Sequence, residues 1–225
     1  MVKRNPDAEG ISVVLVGSFN PGIFHPEWFR RQGLLLSAEA EAAKVRFVTP
    51  DATEISFVDM QLDVLPNRFM LRTSDASRAD KLHDIALGVL ERLNHTPVTA
   101  CGINNELDFD LGDEAYCHKI GHTLAPKEPV WNNVLPAPGM QSLTIKAVRA
   151  GGFPGFINVL VQPSPRFRYG LFVSSNYHYD VPLDEAKTPR PGLAVKYLTD
   201  EWKVALDQAR LVAYRIFEAI PKDAH

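Results

Sequence analysis

Four polar residues in the C-terminal third of the chain are spaced so that they could act together. Ser174, Asn176, His178 and Asp180 occupy every second position of one segment. Because side chains alternate between the two faces of a β-strand, they predict one polar strand face. His178 and Asp180 are close enough for the carboxylate to orient the imidazole, but Ser174 is too distant for a direct nucleophile–base hydrogen bond. The row therefore favours a ligand or partner surface over a catalytic set, with a plain solvated sheet face as the alternative.

A second constellation consists of Glu114, His118 and His122, which recur at every fourth position. If this segment is helical, the three side chains lie along one face. Two imidazoles at this spacing can share a metal ion, with Glu114 or a residue distant in sequence as a third ligand. Gly121 weakens the helix, and a polar helix edge with solvated histidines is the commoner arrangement. We therefore expect no metal site and keep these three residues as the candidate set.

The strands that would position these residues can be read from their periodicity. Apolar residues from Val58 to Val64 alternate with polar ones, Pro66 and Asn67 turn the chain, and Phe69 and Leu71 continue the apolar face. This pattern predicts an antiparallel hairpin. Further strands are predicted at 11–17, 44–49, 98–103, 143–147, 156–161 and 169–180. The polar stretch after residue 103 is interpreted as a solvated loop.

Helices follow the predicted hairpins in both halves of the chain. A stripe from Leu82 to Leu93 predicts one long helix, and a stripe from Trp202 to Ile220, with Thr199 as its cap, predicts another. The predicted fold is therefore α+β, with a mainly antiparallel sheet, helices on one face, and two hairpin–helix lobes that resemble a repeat. The expected organisation is a disordered lead-in over 1–10, an N-terminal lobe over 11–124, a connecting loop over 125–139 and a C-terminal lobe over 140–225, with both lobes in one domain.

Composition narrows the class of protein. The 27 acidic and 24 basic residues leave a formal charge of -3, which favours neither nucleic acid nor a membrane surface as a partner. No apolar run approaches the ~20 residues of a membrane span. Cys101 and Cys117 are too few for a disulfide scaffold. We expect a soluble cytoplasmic protein with reduced thiols and no cofactor, and the oligomeric state is left open.

The turn after the first predicted strand carries one family-like motif. Its residues, Gly17-Ser-Phe-Asn-Pro21, resemble the first motif of nucleotidyltransferases of the nicotinamide-mononucleotide adenylyltransferase kind. The resemblance implies a nucleotide site formed by Gly17, Ser18 and Asn20, with His25 beside the phosphates. His25 follows Asn20 by five residues, one fewer than in that family, and the antiparallel pattern after residue 55 departs from a doubly wound sheet.

A looser resemblance spans most of the chain. The first strand, the segment Val98-Thr-Ala-Cys-Gly-Ile-Asn104 and the last helix are together similar to a sporadically distributed bacterial protein family to which no activity is assigned. No functional residue can be transferred from it. With no complete catalytic set, the sequence favours a non-enzymatic binding or accessory module that recognises a protein or a small ligand through an open sheet face and loops. The alternative is a nucleotide-dependent nucleotidyltransferase that uses the Gly17–Asn20 turn.

Overall fold

The computed structural model of the chain describes residues 4–149, 152–182 and 191–220. Within these ranges the fold is α+β, with one antiparallel sheet of nine strands and five α-helices. The strands are β1 Ala8–Gly17, β2 Lys44–Val48, β3 Thr53–Ser56, β4 Gln61–Leu65, β5 Arg68–Thr73, β6 Val98–Asp110, β7 Leu143–Val148, β8 Gly155–Pro163 and β9 Gly170–Asp180. The helices are α1 Pro26–Arg31, α2 Ser37–Glu41, α3 Ala79–Arg92, α4 Glu114–Leu124 and α5 Gly192–Ala219.

The order of strands across the sheet is β2-β3-β4-β5-β1-β6-β9-β8-β7. β1 and β6 therefore lie near the centre, and the two halves of the chain meet where β6 pairs with β9. The expected order of a hairpin followed by a long helix occurs in both halves, as β4–β5 before α3 and as β8–β9 before α5. No helix within the described ranges is long and apolar enough to cross a membrane.

The helices cover one face of the sheet, which we call the helix face. Ile11, Val13 and Leu15 of β1 lie on it and are almost completely buried, in a core shared with α3 and α5. Fully burying an apolar side chain of this size contributes about 1.5–3 kcal/mol, so this layer provides much of the driving force for folding. The alternate residues of β1, such as Ser12 and Val14, lie on the opposite face, which we call the open face.

Two expectations about the sheet were wrong. β1 begins at Ala8, within the expected lead-in, because Glu9 pairs with β6 and its carboxylate accepts hydrogen bonds from Asn105 and Arg210; residues 1–3 of that lead-in lie outside the described residues. The polar stretch 104–110 is not a loop but the second half of β6. Since β1 and β9 pair with β6 on its two sides, polar residues there still form a full ladder.

Helix and turn boundaries also differ from expectation. α5 begins at Gly192, and Thr199 lies inside the helix, where its hydroxyl donates to the Val195 carbonyl at 2.9 Å. The apolar stripe extends towards the N-terminus through Tyr197 and Leu198, which are buried. Their packing explains why α5 begins before Thr199. In the hairpin, β4 begins only at Gln61. The segment 125–139 has no strand and one short 3-10 turn, Trp131–Asn133.

Candidate functional site

The predicted polar row lies on the open face of β9. Ser174, Asn176 and His178 are half-buried and Asp180 is exposed, whereas the intervening residues of β9 are buried against the helices. β9 lies between β6 and β8, so Ser174, Asn176 and His178 each have a neighbour on either side, whereas Asp180 pairs only with β6. The pairing places Asn176 opposite Asn104 of β6 and Asn158 of β8. The row is therefore the middle of a wider polar surface.

A chain of side-chain hydrogen bonds crosses the centre of the open face. The Asn176 amide nitrogen donates to the Asn104 side-chain carbonyl, and the Asn104 amide nitrogen donates to the Ser12 hydroxyl oxygen at 3.0 Å. These three residues come from β9, β6 and β1, which are adjacent in the sheet. Each amide keeps further donor or acceptor capacity after these bonds. The chain therefore holds its members in position while leaving groups that can bind a ligand.

His178 is the centre of a second cluster on the open face. Its Nε2 is 3.1 Å from an Asp180 carboxylate oxygen, and its ring stacks on Phe156 with centroids 4.5 Å apart and planes 17° from parallel. The Lys146 Nζ lies 4.2 Å from the centroid of the same Phe156 ring. The imidazole is thus oriented by a carboxylate, as acid–base chemistry would need. Ser174, however, is opposite Glu106 and Leu160 in the ladder and four residues along the strand from His178.

The open face also contains a depression of ≈ 540 Å³ beside this surface. It is lined by β1, β4 and β5 and by side chains from nearby loops, and Ser12 belongs both to its wall and to the hydrogen-bonded chain. Arg72 lies at this wall and donates to the Gln61 side-chain oxygen at 2.7 Å. Arg166 also lines it, with its Nε 3.1 Å from an Asp108 oxygen. The depression offers charged and neutral polar groups to one ligand.

One carboxyl group next to the depression has a shifted pKa. Burial raises the pKa of Asp63 above its usual range; Arg72, whose Nε is 3.8 Å away, opposes the shift and Glu54 adds to it. The Asp63 Oδ2 is buried and has no hydrogen-bond partner. A buried carboxylate oxygen that accepts no hydrogen bond disfavours the charged form. This position therefore tolerates the neutral acid better than an exposed aspartate would.

The candidate metal residues lie together on α4 but are not arranged as a metal site. His118 Nε2 is 3.9 Å from a Glu114 carboxylate oxygen, and the rings of His118 and His122 are 6.3 Å apart between centroids. Across the part of the chain that the structure describes, no three His, Cys, Asp or Glu residues are grouped closely enough to hold a metal ion. Glu114, His118 and His122 instead line a pocket on the helix side of the sheet.

The residues of the nucleotidyltransferase-like turn support local structure. The Gly17 amide donates to the Asn67 carbonyl at 3.2 Å, and the Ser18 amide donates to the Pro97 carbonyl at 2.9 Å. The Asn20 side chain accepts from the Gly22 amide at 3.1 Å, and His25 Nδ1 accepts from the Glu27 amide at 3.4 Å. The four residues therefore lie in one segment. The Gly17 and Ser18 amides, which would have to donate to a phosphate, already donate to backbone carbonyls.

The prediction from sequence missed several members of the open face. Asn104 was assigned to a loop, although Leu107 and Phe109 alternate with Glu106 and Asp108 just after it. This two-residue period is the signal in the sequence that indicates a strand. It is hard to recognise because Asn105 puts a polar residue on the helix face, where an apolar one is expected. The contributions of Ser12, Arg72, Lys146 and Phe156 depend on which strands are neighbours, and local sequence carries no signal for that.

Comparisons with known proteins give little further guidance. No protein-family model matches the chain, and no curated protein matches its sequence. Among solved structures the chain is similar to DynU16 from the dynemicin biosynthetic locus, with 14% identity, 95% of this chain and 100% of that chain covered, and a TM-score of 0.29. It is also similar to the di-domain ARO/CYC protein StfQ from the steffimycin biosynthetic pathway, with 11% identity, 93% of this chain and 97% of that chain covered, and a TM-score of 0.28. Both likenesses are too distant to bear on function.

Proposed function

We propose that this chain is a non-enzymatic binding module that holds a polar ligand on the open face of its sheet. The observation that carries the proposal is the hydrogen-bonded chain Asn176–Asn104–Ser12, which ends at the wall of the ≈ 540 Å³ depression. Polar side chains on a solvated face usually point into water independently, whereas these are fixed against one another across three strands. A surface of ordered donors and acceptors loses little side-chain entropy when a ligand binds.

The side chains indicate the chemistry of the ligand. Two asparagine amides and a serine hydroxyl offer both donors and acceptors, which suits hydroxyl and amide groups. His178, which is stacked on Phe156, adds a flat ring at the other end of the row, on which a planar or sugar-like group can lie. Charges of both signs border the depression. We therefore expect a neutral or zwitterionic ligand, either a small molecule or a short segment of a partner protein.

The same geometry argues against a catalytic role for the row. His178 has its carboxylate partner in Asp180, but Ser174 contacts neither of them in the described structure. An acid–base pair with no nucleophile within reach, on a broad open surface, lacks the water-excluding enclosure that most active sites use. We therefore propose that the row is the contact surface of a cytoplasmic binding module.

A thermal-shift screen tests this function. The panel contains monosaccharides, nucleosides, amino acids and dipeptides, and a ligand at ~100 times its Kd should stabilise the protein by about 2.7 kcal/mol. For a chain of this size that corresponds to a rise in melting temperature of about 5–10 °C. Asn176→Lys should abolish the rise, because it breaks the hydrogen-bonded chain and fills the surface with a long cation.

Two further variants sharpen the screen. Asp180→Lys should also weaken the response, because it reverses the charge beside His178. Gln208→Lys is the matched control, since Gln208 is exposed on α5 on the other side of the sheet and the same cation there should leave the response unchanged. A ligand whose stabilisation survives both open-face substitutions, in variants that still melt cooperatively, would show that the open face is not its site.

A further inference from the structure

A second concave site lies on the helix side of the sheet, away from the open face. It is a pocket of ≈ 290 Å³ between α4, the segment that follows it and the start of β9. α4 packs on the helix face through Tyr116 and Ile120, which are buried among Leu107 and Phe109 of β6. The pocket is near the small end of the range for ligand sites, about 300–1,000 Å³.

The pocket wall includes a buried lysine without a counter-charge. Lys127 is only 7% exposed, and its ammonium donates to the Ala125 carbonyl. Within residues 4–149, 152–182 and 191–220 no carboxylate pairs with it. A lysine ammonium has three donors, and lysine is almost never buried this deeply without an anionic partner. Burying an unpaired charge is costly, and an anion in the pocket would supply the missing partner.

The other charges around the pocket limit the charge of that anion. Arg168 adds a second cation, and its guanidinium is 5.0 Å from the centroid of the Tyr169 ring. Glu114 adds one negative charge, 3.9 Å from His118 Nε2. The pKa of Tyr169 is raised, first by burial and then by the negative charge of Glu114. Two cations against one carboxylate leave a net charge near +1, which favours a monoanion over a doubly charged phosphate.

The remaining walls are apolar. Met140, Pro163 and Leu171 face the same pocket, and Leu171 is buried in the second hydrophobic cluster of the core. Apolar walls with a few convergent polar groups are the usual composition of a small-molecule site. We propose that this pocket binds a small organic monocarboxylate, with its carboxylate on Lys127 and Arg168 and its apolar body against Met140 and Leu171. This inference is independent of the function proposed for the open face.

Cys117 provides a direct readout because it lies in the pocket wall and is partly exposed. Cys101, the other cysteine of the chain, is fully buried, and burial raises its pKa to about 12. Iodoacetamide should therefore modify only Cys117 in the native protein. The experiment measures this alkylation rate at one fixed pH with acetate, butyrate, hexanoate or benzoate, each compared with its uncharged amide.

The expected result is protection by the larger carboxylates and none by their amides. A carboxylate at ten times its Kd should slow alkylation of Cys117 by about tenfold. Lys127→Met should weaken protection by at least about tenfold in Kd, and Lys127→Arg, which keeps the charge, should retain most of it. If no carboxylate protects Cys117 better than its amide, or if Lys127→Met is protected like the wild type, the proposal is wrong.

Arg168→Gln keeps the test decisive if Lys127→Met fails to fold. Arg168 is at the pocket rim, so its replacement should leave the melting temperature nearly unchanged and still raise the Kd for the carboxylate several-fold. Unchanged protection by benzoate in a folded Arg168→Gln protein, together with equal protection by benzamide, would overturn the assignment. Loss of benzoate protection with an unaltered alkylation rate in the absence of ligand would support it.

Discussion

The ion pair between Arg149 and Glu201 connects the residue after β7 to α5, and breaking it should destabilise the fold strongly. Arg149 Nη2 lies 2.5 Å from a Glu201 carboxylate oxygen, and the guanidinium carbon is 3.7 Å from the centroid of the Tyr179 ring. The Arg149 side chain is 3% exposed and that of Glu201 is 17% exposed. Both charges are therefore largely removed from water, and each depends on the other for compensation.

The expected loss of folding free energy follows from the burial of both charges. Removing one partner of a buried pair costs about 3–5 kcal/mol, because the remaining charge is left uncompensated. Glu201→Leu should be at the upper end, since it leaves the almost fully buried Arg149 guanidinium, whose Nη1 already has no partner. Arg149→Met should cost about 3 kcal/mol, since Glu201 keeps some contact with water. This cost of about 3 kcal/mol includes the lost cation–π contact between Arg149 and Tyr179, a type of contact worth up to about 2 kcal/mol when desolvated.

The assay is a double-mutant cycle by urea denaturation, followed by tryptophan fluorescence. The double variant Arg149→Met, Glu201→Leu should be more stable than either single variant, because an apolar pair replaces the ions without leaving a charge behind. We expect a coupling free energy of at least about 2 kcal/mol. If the losses of Arg149→Met and Glu201→Leu simply add in the double variant, the pair does not act as the structure indicates.

Three further predictions concern the sheet and its turns. Glu9→Ala should lower the free energy of unfolding by about 2–4 kcal/mol in urea titrations. The substitution removes the carboxylate that accepts from Arg210 and leaves the buried Asn105 amide nitrogen without an acceptor. A loss below about 0.5 kcal/mol would show that residues 8–10 contribute little to stability. Asp63→Asn should stabilise the protein at pH 7 by up to about 1 kcal/mol. Because the folded-state pKa is raised, the penalty is absent below the unfolded pKa of about 4, grows as pH rises above it and is complete once pH exceeds the folded-state pKa. A gain from Asp63→Asn that persists at pH 3 would contradict this explanation. Gly17→Ala should lower the stability measured by thermal denaturation by about 1–3 kcal/mol, because a Cβ there would lie 2.2 Å from the Pro97 carbonyl oxygen. Since the Gly17 turn has a structural role, ATP with Mg²⁺ should not raise the melting temperature of the wild-type protein.

Periodic elements were the part of the fold that sequence could predict. The spacing of Glu114, His118 and His122 left a helix conditional, and α4 does form there, since the Asp113 side chain caps it and Tyr116 and Ile120 are buried on one side. The alternation in β9 places Asn176 and His178 on the open face as expected, because the buried Tyr177 and Tyr179 that alternate with them are large enough to fix the register. Strong local patterns of this kind need no knowledge of their neighbours.

The rest depends on contacts between distant segments. β3 has only four residues and no clear alternation of apolar side chains, so its place in the sheet is set by pairing with β2 and β4. The polar second half of β6 is a strand because β1 and β9 flank it. In the same way, Lys127 and the start of β9 line one pocket although they are far apart in sequence. Strand order and burial are non-local, and propensity does not encode them.

NMR of the asparagine side-chain amides can show whether the open face binds the ligand. A ligand found in the polar panel is titrated into ¹⁵N-labelled protein while the Asn104 and Asn176 side-chain amide signals are followed. Binding at the open face should shift both signals with the same saturation curve as the thermal stabilisation and leave the Gln208 side-chain amide on α5 unmoved. A ligand that stabilises the protein while the Asn104 and Asn176 amides stay unshifted would show that the ligand binds elsewhere.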